Sequence, residues 1–210
     1  MRIQHFYDNR TGTISYVVAD EATRTAVVID PVLDYDIHSG RVWFESAETI
    51  SHYLDEGGYS VPYVLDTHVH ADHLSALQYF KKAYGAKTVI GAGIIIIQKT
   101  FKAFFGLGDE VPGDGRQFDV RLGDHEVLDV GPFQIEAIPT GGHTPASLSY
   151  RVDDAVFVGD TLFQPDSGTA RCDFPGGSAG ELYDSIQRLF ELPPATRLFT
   201  LHDYQPAGRD

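Results

Sequence analysis

Cysteine is almost absent from this sequence, which contains one, Cys172, among 210 residues. A single cysteine excludes an intramolecular disulfide framework and excludes a structural zinc site built from clustered thiolates. The scarcity agrees with a reducing compartment and with a fold that needs no covalent cross-link.

Long hydrophobic runs are also missing. The most apolar stretch, GAGIIII at 91–97, is far shorter than the roughly 20 residues that span a bilayer. The first residues, MRIQHFYDNRTGTISY, lack the apolar segment and the small-residue cleavage site of a secretory signal. We therefore predict a cytoplasmic protein that does not enter a membrane.

Positive charge is scarce. Lysine and arginine total 16 residues against 30 aspartates and glutamates, for a formal net charge of −14. Such a balance repels a phosphate backbone, so nucleic acid is not expected as a partner. The length and the 42% hydrophobic content suit one globular domain with a sizeable core.

The hydrophobic pattern predicts sheets covered by helices. Apolar stretches at 12–20 and 24–30 read as a hairpin, and 30–44 has no clear period and reads as a loop. Helices are predicted over 46–58, with Ser46 as N-cap, and over 73–85 and 178–192. Further strands are predicted at 61–67, 87–93, 125–130, 132–140, 147–152, 155–160 and 196–204, while 93–119 is compatible with a buried helix or a buried strand. This order predicts an α/β fold with polar clusters at strand ends.

Metal-binding residue types are concentrated in short motifs at these strand ends. Histidine nitrogen and carboxylate oxygen suit zinc, iron and other first-row metals, and they favour a catalytic site over a structural one. Any one of these side chains alone could cap a strand or bond within a loop. The seven positions that together indicate a metal site are His68, His70, Asp72 and His73 in THVHADH, His143 in GGHTPAS, Asp160 in VFVGDTL and His202 in LHDY.

The order of these motifs resembles the metallo-β-lactamase superfamily. THVHADH, GHT, GDTL and HDY follow one another, with 75 residues from His68 to His143, 17 from His143 to Asp160 and 42 from Asp160 to His202. The resemblance implies a four-layer αββα sandwich that carries a metal site at one edge.

Several longer stretches resemble one branch of that superfamily, the persulfide (sulfur) dioxygenases. They are IDPVLDYD, THVHADHLSA, FVGDTLF and GTARCDFPGGSAGELYDSI. The resemblance implies one Fe(II) per chain, held by His68, His143 and Asp160 as the catalytic centre. The implied reaction oxidises glutathione persulfide with O₂ and water to sulfite and glutathione, in sulfide detoxification. His70, Asp72, His73 and His202 are then expected to orient the ligands and waters by hydrogen bonding.

Two residues are candidates for substrate binding. Arg171 in ARCDF can pair with a carboxylate of glutathione through two parallel hydrogen bonds, although a salt bridge with Asp173 is an equal alternative. Tyr183 in ELYDS is a candidate for the same pocket, and the alternative is a place in the core beside Leu182.

The main alternative is a thiolester hydrolase like glyoxalase II, with two zinc ions held by all seven side chains and bridged by Asp160. Ligand identity does not separate these possibilities, because zinc competes well with Fe(II) at such a site. A lactamase-type or nuclease-type zinc hydrolase fits the acidic balance and the later motifs less well. A non-catalytic, sulfide-responsive binding module is the alternative from another class, and the complete set of ligands speaks against it.

Domain organisation and partners are expected from the same resemblance. The family pattern continues for some tens of residues beyond HDY, whereas this chain ends at Asp210. We expect a single domain over 1–210 that lacks a C-terminal extension of the family. A homodimer and a sulfurtransferase (rhodanese) partner are implied by analogy.

Overall fold

The computed structural model describes residues 1–205. In chain order its strands are β1 (Arg2–Asp8), β2 (Thr13–Asp20), β3 (Thr25–Ile29), β4 (Val32–Asp36), β5 (Arg41–Trp43), β6 (Ser60–Leu65), β7 (Leu74–Ser75), β8 (Lys87–Gly91), β9 (Val120–Leu122), β10 (Val127–Asp129), β11 (Gln134–Pro139), β12 (Leu148–Val152), β13 (Ala155–Phe157) and β14 (Arg197–Phe199). The helices are α1 (Glu45–Gly57), α2 (Leu77–Tyr84), α3 (Ile94–Phe105) and α4 (Ala179–Phe190).

The strands form two large sheets and one small one. The first sheet has the order β1-β2-β3-β6-β8-β9, and the second has the order β10-β11-β12-β13-β14. The small sheet has the order β5-β4-β7. Within residues 1–205, no helix has the length and apolar composition needed to cross a membrane.

The two large sheets pack face to face. Successive side chains of a strand point to opposite faces of its sheet, so Tyr16 and Val18 of β2 face the second sheet while Val17 and Ala19 face outward. The shared inner core also contains Val27, Ile29, Leu65, Ile135, Leu148, Tyr150 and Phe157.

Helices cover the outer faces of both sheets. Leu54 of α1 and Phe80 of α2 pack with Val17 on the first sheet. Leu189 of α4 packs with Val156 on the second sheet. The resulting order of helix, sheet, sheet and helix confirms the predicted α/β fold class with its four-layer sandwich.

The strands that carry the metal-binding motifs end at a common edge. β3, β6 and β8 are parallel neighbours in the first sheet, and β13 and β14 are parallel in the second. The Ile14 amide donates to the Leu201 carbonyl at 2.6 Å, which joins the two sheets beside the last histidine motif. Ligand sites commonly lie outside the carboxyl ends of parallel strands, and this edge is such a place.

The predicted loop over 30–44 is wrong, because this segment contains β4 and β5. The two strands are short, and β4 pairs with β5 on one side and with β7 on the other. Runs of five and three residues are too short to show a clear period of two. β1, at 2–8, was not predicted from the sequence.

Two helix starts differ from the prediction. The helix α1 begins at Glu45 after Phe44, so Ser46 is not the N-cap; its hydroxyl donates instead to the Asp34 carboxylate at 2.7 Å. The helix predicted over 73–85 begins at Leu77, because residues 74–75 form β7.

The ambiguous segment 93–119 contains the helix α3. Its four isoleucines follow helical spacing, with Ile94 and Ile97 buried and Ile96 exposed at 56%. The apolar run is therefore one helix face packed on Ile90 and Ala146, with part of the opposite face in solvent.

Candidate metal centre

All seven predicted ligand residues lie at the common strand edge. Each strand end delivers its motif within a few residues: His68 comes three residues after β6, Asp160 three after β13, and His202 three after β14. The loop after β11 brings in His143. Short connections from a rigid sheet hold side chains more firmly than long loops do.

The tightest group consists of His68, His143 and Asp160. The Nε2 atoms of His68 and His143 lie 3.6 Å and 3.5 Å from Oδ2 of Asp160. One ligand atom from each residue lies within 4.8 Å of the other two, and all three side chains are buried. Two imidazoles and one carboxylate on one side of a cation form the facial set typical of non-haem Fe(II), and zinc accepts the same donors.

A second set of ligands, Asp72, His73 and His202, lies directly beside the first. The Nε2 of His202 is 3.2 Å from Oδ2 of Asp72 and 3.4 Å from Oδ1 of Asp160. The Nδ1 of His73 is 3.2 Å from Oδ2 of Asp72. Asp160 therefore directs one oxygen toward each set, as a carboxylate between two cations would.

His70 is held by two further aspartates. Its Nε2 lies 3.2 Å from Oδ1 of Asp30 and 3.7 Å from Oδ1 of Asp66. The opposite ring nitrogen, Nδ1, is buried and has no hydrogen-bond partner. Asp30 and Asp66 thus set the ring so that Nδ1 is the atom His70 can offer to a cation.

Unpartnered polar atoms are concentrated in this cluster. Within residues 1–205, seven buried side-chain atoms have no hydrogen-bond partner, and six of them belong to the ligand set. Buried polar groups in native proteins are nearly always paired, because leaving them unpaired is costly. The six atoms are His68 Nε2, His70 Nδ1, His70 Nε2, His73 Nε2, Asp160 Oδ1 and His202 Nε2. Apart from His70 Nε2, which faces Asp30 and Asp66, these nitrogens and oxygens fit a bound metal cation.

Hydrogen bonds outside the cluster direct the ligand nitrogens inward. The Nδ1 of His143 lies 2.6 Å from the carbonyl oxygen of Arg171, which only accepts, so His143 carries its proton on Nδ1. In the neutral ring Nε2 then has the free lone pair. The Nδ1 of His68 lies 3.0 Å from the Thr67 hydroxyl, which leaves Nε2 facing the cluster. Partners of this kind orient metal ligands and fix their tautomer.

The electrostatics at Asp160, His143 and His73 favour the protonation states that a metal requires. Burial alone would raise the pKa of Asp160, but the imidazoles of His68, His202 and His143 lower it to about 2. Burial lowers the pKa of His143, and burial with the neighbouring His70 lowers the pKa of His73. An ionised carboxylate and neutral imidazoles are the states that bind metals.

Two glycines allow the ligand loops to approach their supports. Gly142, directly before His143, has φ of +128°, and a Cβ there would lie 2.3 Å from the Leu182 amide nitrogen. Gly159, directly before Asp160, has φ of +53°, and a Cβ there would lie 2.7 Å from the Thr67 hydroxyl. Both positions need a residue without a side chain because the conformation is left-handed and the space is filled.

A cavity of about 330 Å³ opens over the first ligand set. Its walls include Phe163, Phe174 and Tyr204 beside His143 and Asp160. The Tyr204 ring stacks on His202, with centroids 5.2 Å apart and planes 9° apart. The cavity, which we call the mouth, is large enough for a small organic substrate next to the ligands.

Arg171 lies at the mouth, and Tyr183 does not. Arg171 lines the cavity, where its guanidinium makes two hydrogen bonds to Asp173 at 2.6 Å and 2.8 Å and lies over the Phe174 ring. Tyr183 is exposed at 63% on α4 and is absent from the cavity lining. It follows the buried Leu182 by one residue, a turn of about 100° around the helix axis, which takes it to the solvent side. The prediction that Tyr183 enters the substrate pocket is therefore wrong, and so is the alternative that it lies in the core.

Sequence reasoning missed three residues that support the site: Asp30, Asp66 and Thr67, whose hydroxyl contacts His68. Asp30 and Asp66 contact His70, and Asp30 also accepts hydrogen bonds from the amide and hydroxyl of Thr67, at 2.7 Å and 3.1 Å. Each aspartate directly follows a buried strand, β3 or β6. The sequence did contain a signal for the two aspartates. Each is an acidic residue directly after an apolar strand, and β6 leads into the first histidine motif.

We expect Asp30→Asn to weaken metal binding by about 10- to 100-fold, the usual effect of losing a partner of a ligand. The substitution keeps the size of the side chain and removes the charge next to His70 Nε2. Competition with a chromophoric chelator measures the affinity. Asp36→Asn, at the exposed last residue of β4, is the control. An affinity equal to that of the wild type would contradict the supporting role of Asp30.

Comparison with known proteins finds relatives at 46% and 43% identity and a more distant one at 27%. The chain is 46% identical over 208 residues to a beta-lactamase hydrolase-like protein of Xylella fastidiosa, covering 99% of this chain and 48% of the relative. It therefore spans about half of that relative's length. It is 43% identical over 210 residues to glyoxylase B2 of Dictyostelium discoideum, covering 99% of this chain and 72% of the relative. A more distant relative, at 27% over 206 residues, is the mitochondrial persulfide dioxygenase ETHE1 of Mus musculus, covering 96% of this chain and 68% of the relative.

A solved structure has the same architecture. The crystal structure of ETHE1 from Myxococcus xanthus superposes with a TM-score of 0.79 at 31% identity, covering all of this chain and 78% of that one. Residues 9–202 match the family profile of the metallo-beta-lactamase superfamily, and this span contains every ligand described above. The chain therefore belongs to the metallo-beta-lactamase superfamily.

Proposed function

We propose that this protein is an iron-dependent persulfide dioxygenase that oxidises glutathione persulfide to sulfite and glutathione in sulfide detoxification. The observation that carries the proposal is the compact group of His68, His143 and Asp160, two imidazoles and one carboxylate whose ligand atoms lie within 4.8 Å of one another. The similarity to ETHE1 of Myxococcus xanthus supports the same choice.

The three residues would hold one Fe(II) per chain. When bound, Fe(II) would supply coordination positions for O₂ and for the persulfide sulfur and a path for electrons between them. Overall, the terminal sulfur is oxidised to sulfite, O₂ is reduced, and the carrier leaves as its thiol.

The chain's own groups prepare the site for this chemistry. The Arg171 carbonyl and the Thr67 hydroxyl keep the Nε2 atoms of His143 and His68 directed at the cation position. Burial of these ligands limits the access of bulk water, which strengthens electrostatic interactions. The aromatic walls of the mouth leave a defined approach for the sulfur group.

Arg171 is proposed to bind a carboxylate of the carrier. Since its partner Asp173 is as exposed as Arg171 itself, at 66% for each side chain, a substrate carboxylate can replace Asp173 at little cost. We expect Arg171→Met to raise KM for glutathione persulfide by about 3- to 10-fold with kcat nearly unchanged, because one charge-assisted contact is lost. Arg197→Met, at another exposed Arg–Asp pair, is the control. A KM unaffected by Arg171→Met would remove this residue from the substrate site.

The proposal is tested by metal analysis and O₂ consumption on protein purified without oxygen. We expect about one iron per chain, as one facial triad holds, with O₂ uptake on adding glutathione persulfide and sulfite as product. Zinc as the bound metal, with no O₂ uptake after reconstitution with Fe(II), would contradict it.

A glyoxalase II-like thiolester hydrolase is the second candidate. It is favoured by the two oxygens of Asp160, one toward each ligand set, and by the unpartnered Nε2 atoms of His73 and His202. The similarity to glyoxylase B2 supports it as well. Two zinc ions per chain and hydrolysis of S-lactoylglutathione would establish this function in place of the dioxygenase.

The other expectations stay predictions. A non-catalytic sulfide-responsive module would bind persulfide without consuming O₂, so the same assay separates it from the enzyme. One domain over 1–210, a cytoplasmic location, a homodimer and a sulfurtransferase partner are each open to direct measurement.

A further inference from the structure

A second cavity, of about 110 Å³, has His143 in its wall, as the mouth does. We call it the apolar pocket. Its walls are Val69, Ala71, Ile97, Phe101, His143, Thr144, Pro145, Phe174 and Pro175, so seven of the nine lining residues are apolar. The function proposed above does not use this pocket.

The apolar pocket adjoins the mouth. Ala71, His143 and Phe174 line both cavities. The Phe174 ring meets the His143 ring edge to face, with centroids 5.4 Å apart. A molecule with its sulfur at the ligands can therefore extend its carbon chain into either cavity, and Phe174 contributes to the wall of both.

The two cavities differ in chemistry. The mouth contains Asp72, Asp160 and Arg171, which suit polar and charged groups. The apolar pocket contains no charged side chain among its lining residues other than the imidazole of His143. An aliphatic group gains free energy on moving from water into such walls, whereas a carboxylate or amide loses its hydration there.

The shape of α3 explains how the pocket forms. Ile97 and Phe101 are four residues apart, so they lie on the same face of the helix and form one wall together. Ile97 also packs in the small core with Ile90, Ile94 and Ala146, which fixes this wall.

We propose that the apolar pocket binds an aliphatic chain on the sulfur carrier, so that the substrates include alkyl persulfides. A cavity of about 150 Å³ holds benzene, and by that ratio 110 Å³ holds about four carbon atoms. The inference rests on the proposed function for the reaction, whereas thiol binding in the pocket can be measured without it.

An alkyl persulfide would react with the same overall stoichiometry as glutathione persulfide. The S–S bond breaks, and the terminal sulfur is oxidised to sulfite with two oxygen atoms from O₂ and one from water. The alkyl sulfur takes a proton and leaves as the alkyl thiol. No further oxidant or reductant is needed.

The test is calorimetric titration of the metal-loaded protein with straight-chain alkanethiols from methanethiol to octanethiol. We expect the affinity to rise about fourfold for each added methylene until the chain reaches about four carbons, and then to level off. Phe101→Ala should move the plateau to longer chains, and Phe101→Trp should remove the chain-length dependence beyond methanethiol. Phe104→Ala, a phenylalanine of the same helix that is exposed at 70% and lies outside the pocket, should behave as wild type.

The possible outcomes separate the pocket from the reaction. An affinity independent of chain length in the wild type, or a plateau that Phe101→Ala and Phe101→Trp both leave in place, would overturn the apolar pocket as a binding site. O₂ uptake with butyl persulfide and with glutathione persulfide is measured in parallel. A chain-length plateau that moves with Phe101, without O₂ uptake on either persulfide, would keep the alkyl-binding pocket and overturn the dioxygenase and, with it, alkyl persulfides as substrates. O₂ uptake with glutathione persulfide, together with thiol affinities that do not depend on chain length, would keep the dioxygenase and overturn the alkyl-binding pocket.

Discussion

Replacing His143 with alanine is expected to lower iron affinity and O₂ consumption by more than about 100-fold, beyond the usual effect of losing a ligand's hydrogen-bond partner. The substitution leaves two of the three donors in the tightest group. It also removes the hydrogen bond that the Arg171 carbonyl accepts from His143 Nδ1 at 2.6 Å. Iron content after desalting and O₂ uptake with glutathione persulfide measure the two effects.

The control for this variant is His52→Ala on α1, where the histidine side chain is exposed at 73%. It should keep the iron content and the rate of the wild type. Circular dichroism shows whether His143→Ala retains the fold, and Asp160→Asn provides a second variant that changes one ligand with little change in volume. Full iron content in both ligand variants would show that the metal lies elsewhere.

Replacing Gly142 with alanine is expected to lower the free energy of unfolding by about 2–6 kcal/mol. The left-handed φ of +128° strains a residue with a side chain by about 1–3 kcal/mol. The new Cβ would also lie 2.3 Å from the Leu182 amide nitrogen, and overpacking of this kind costs about 1–3 kcal/mol. At this chain length the melting temperature should fall by at least about 4 °C.

The matched control is Gly131→Ala. Gly131 also has a positive φ, +106°, but nothing lies within 4 Å of the position that a Cβ would take there. It should show the conformational strain without the collision, so its melting temperature should fall less than that of Gly142→Ala. Urea unfolding of both variants, with iron content beside it, measures the difference. Equal losses in the two variants would mean that contact between α4 and the His143 loop contributes little.

The loop before His143 shows why this site depends on α4. The Ser185 hydroxyl donates to the Gly141 carbonyl at 2.7 Å, and the Ser178 amide donates to the Gly142 carbonyl at 2.8 Å. These bonds hold the loop against the helix, so the position of a ligand is determined by packing far along the chain. A short polar motif such as GGH does not indicate that its loop packs against α4.

The sequence by itself determined the fold class, and it identified seven candidate ligand residues that the structure brings to one strand edge. Apolar periodicity revealed α4 and most strands of both sheets, since each element buries one face. The histidines and aspartates were found because so many metal-binding side chains within short motifs have no simpler role. The resemblance of THVHADH and its companion motifs to the superfamily agreed with the family match.

Only the tertiary structure decided how these residues are arranged and what surrounds them. Asp30 and Asp66 support His70 across neighbouring parallel strands, a contact that no local pattern encodes. Tyr183 lies in solvent because helical phase turns it away from the buried Leu182. The apolar pocket arises where α3, the first histidine motif and the Phe174 loop meet. Long-range packing creates such a cavity, and local propensity and spacing carry no information about it.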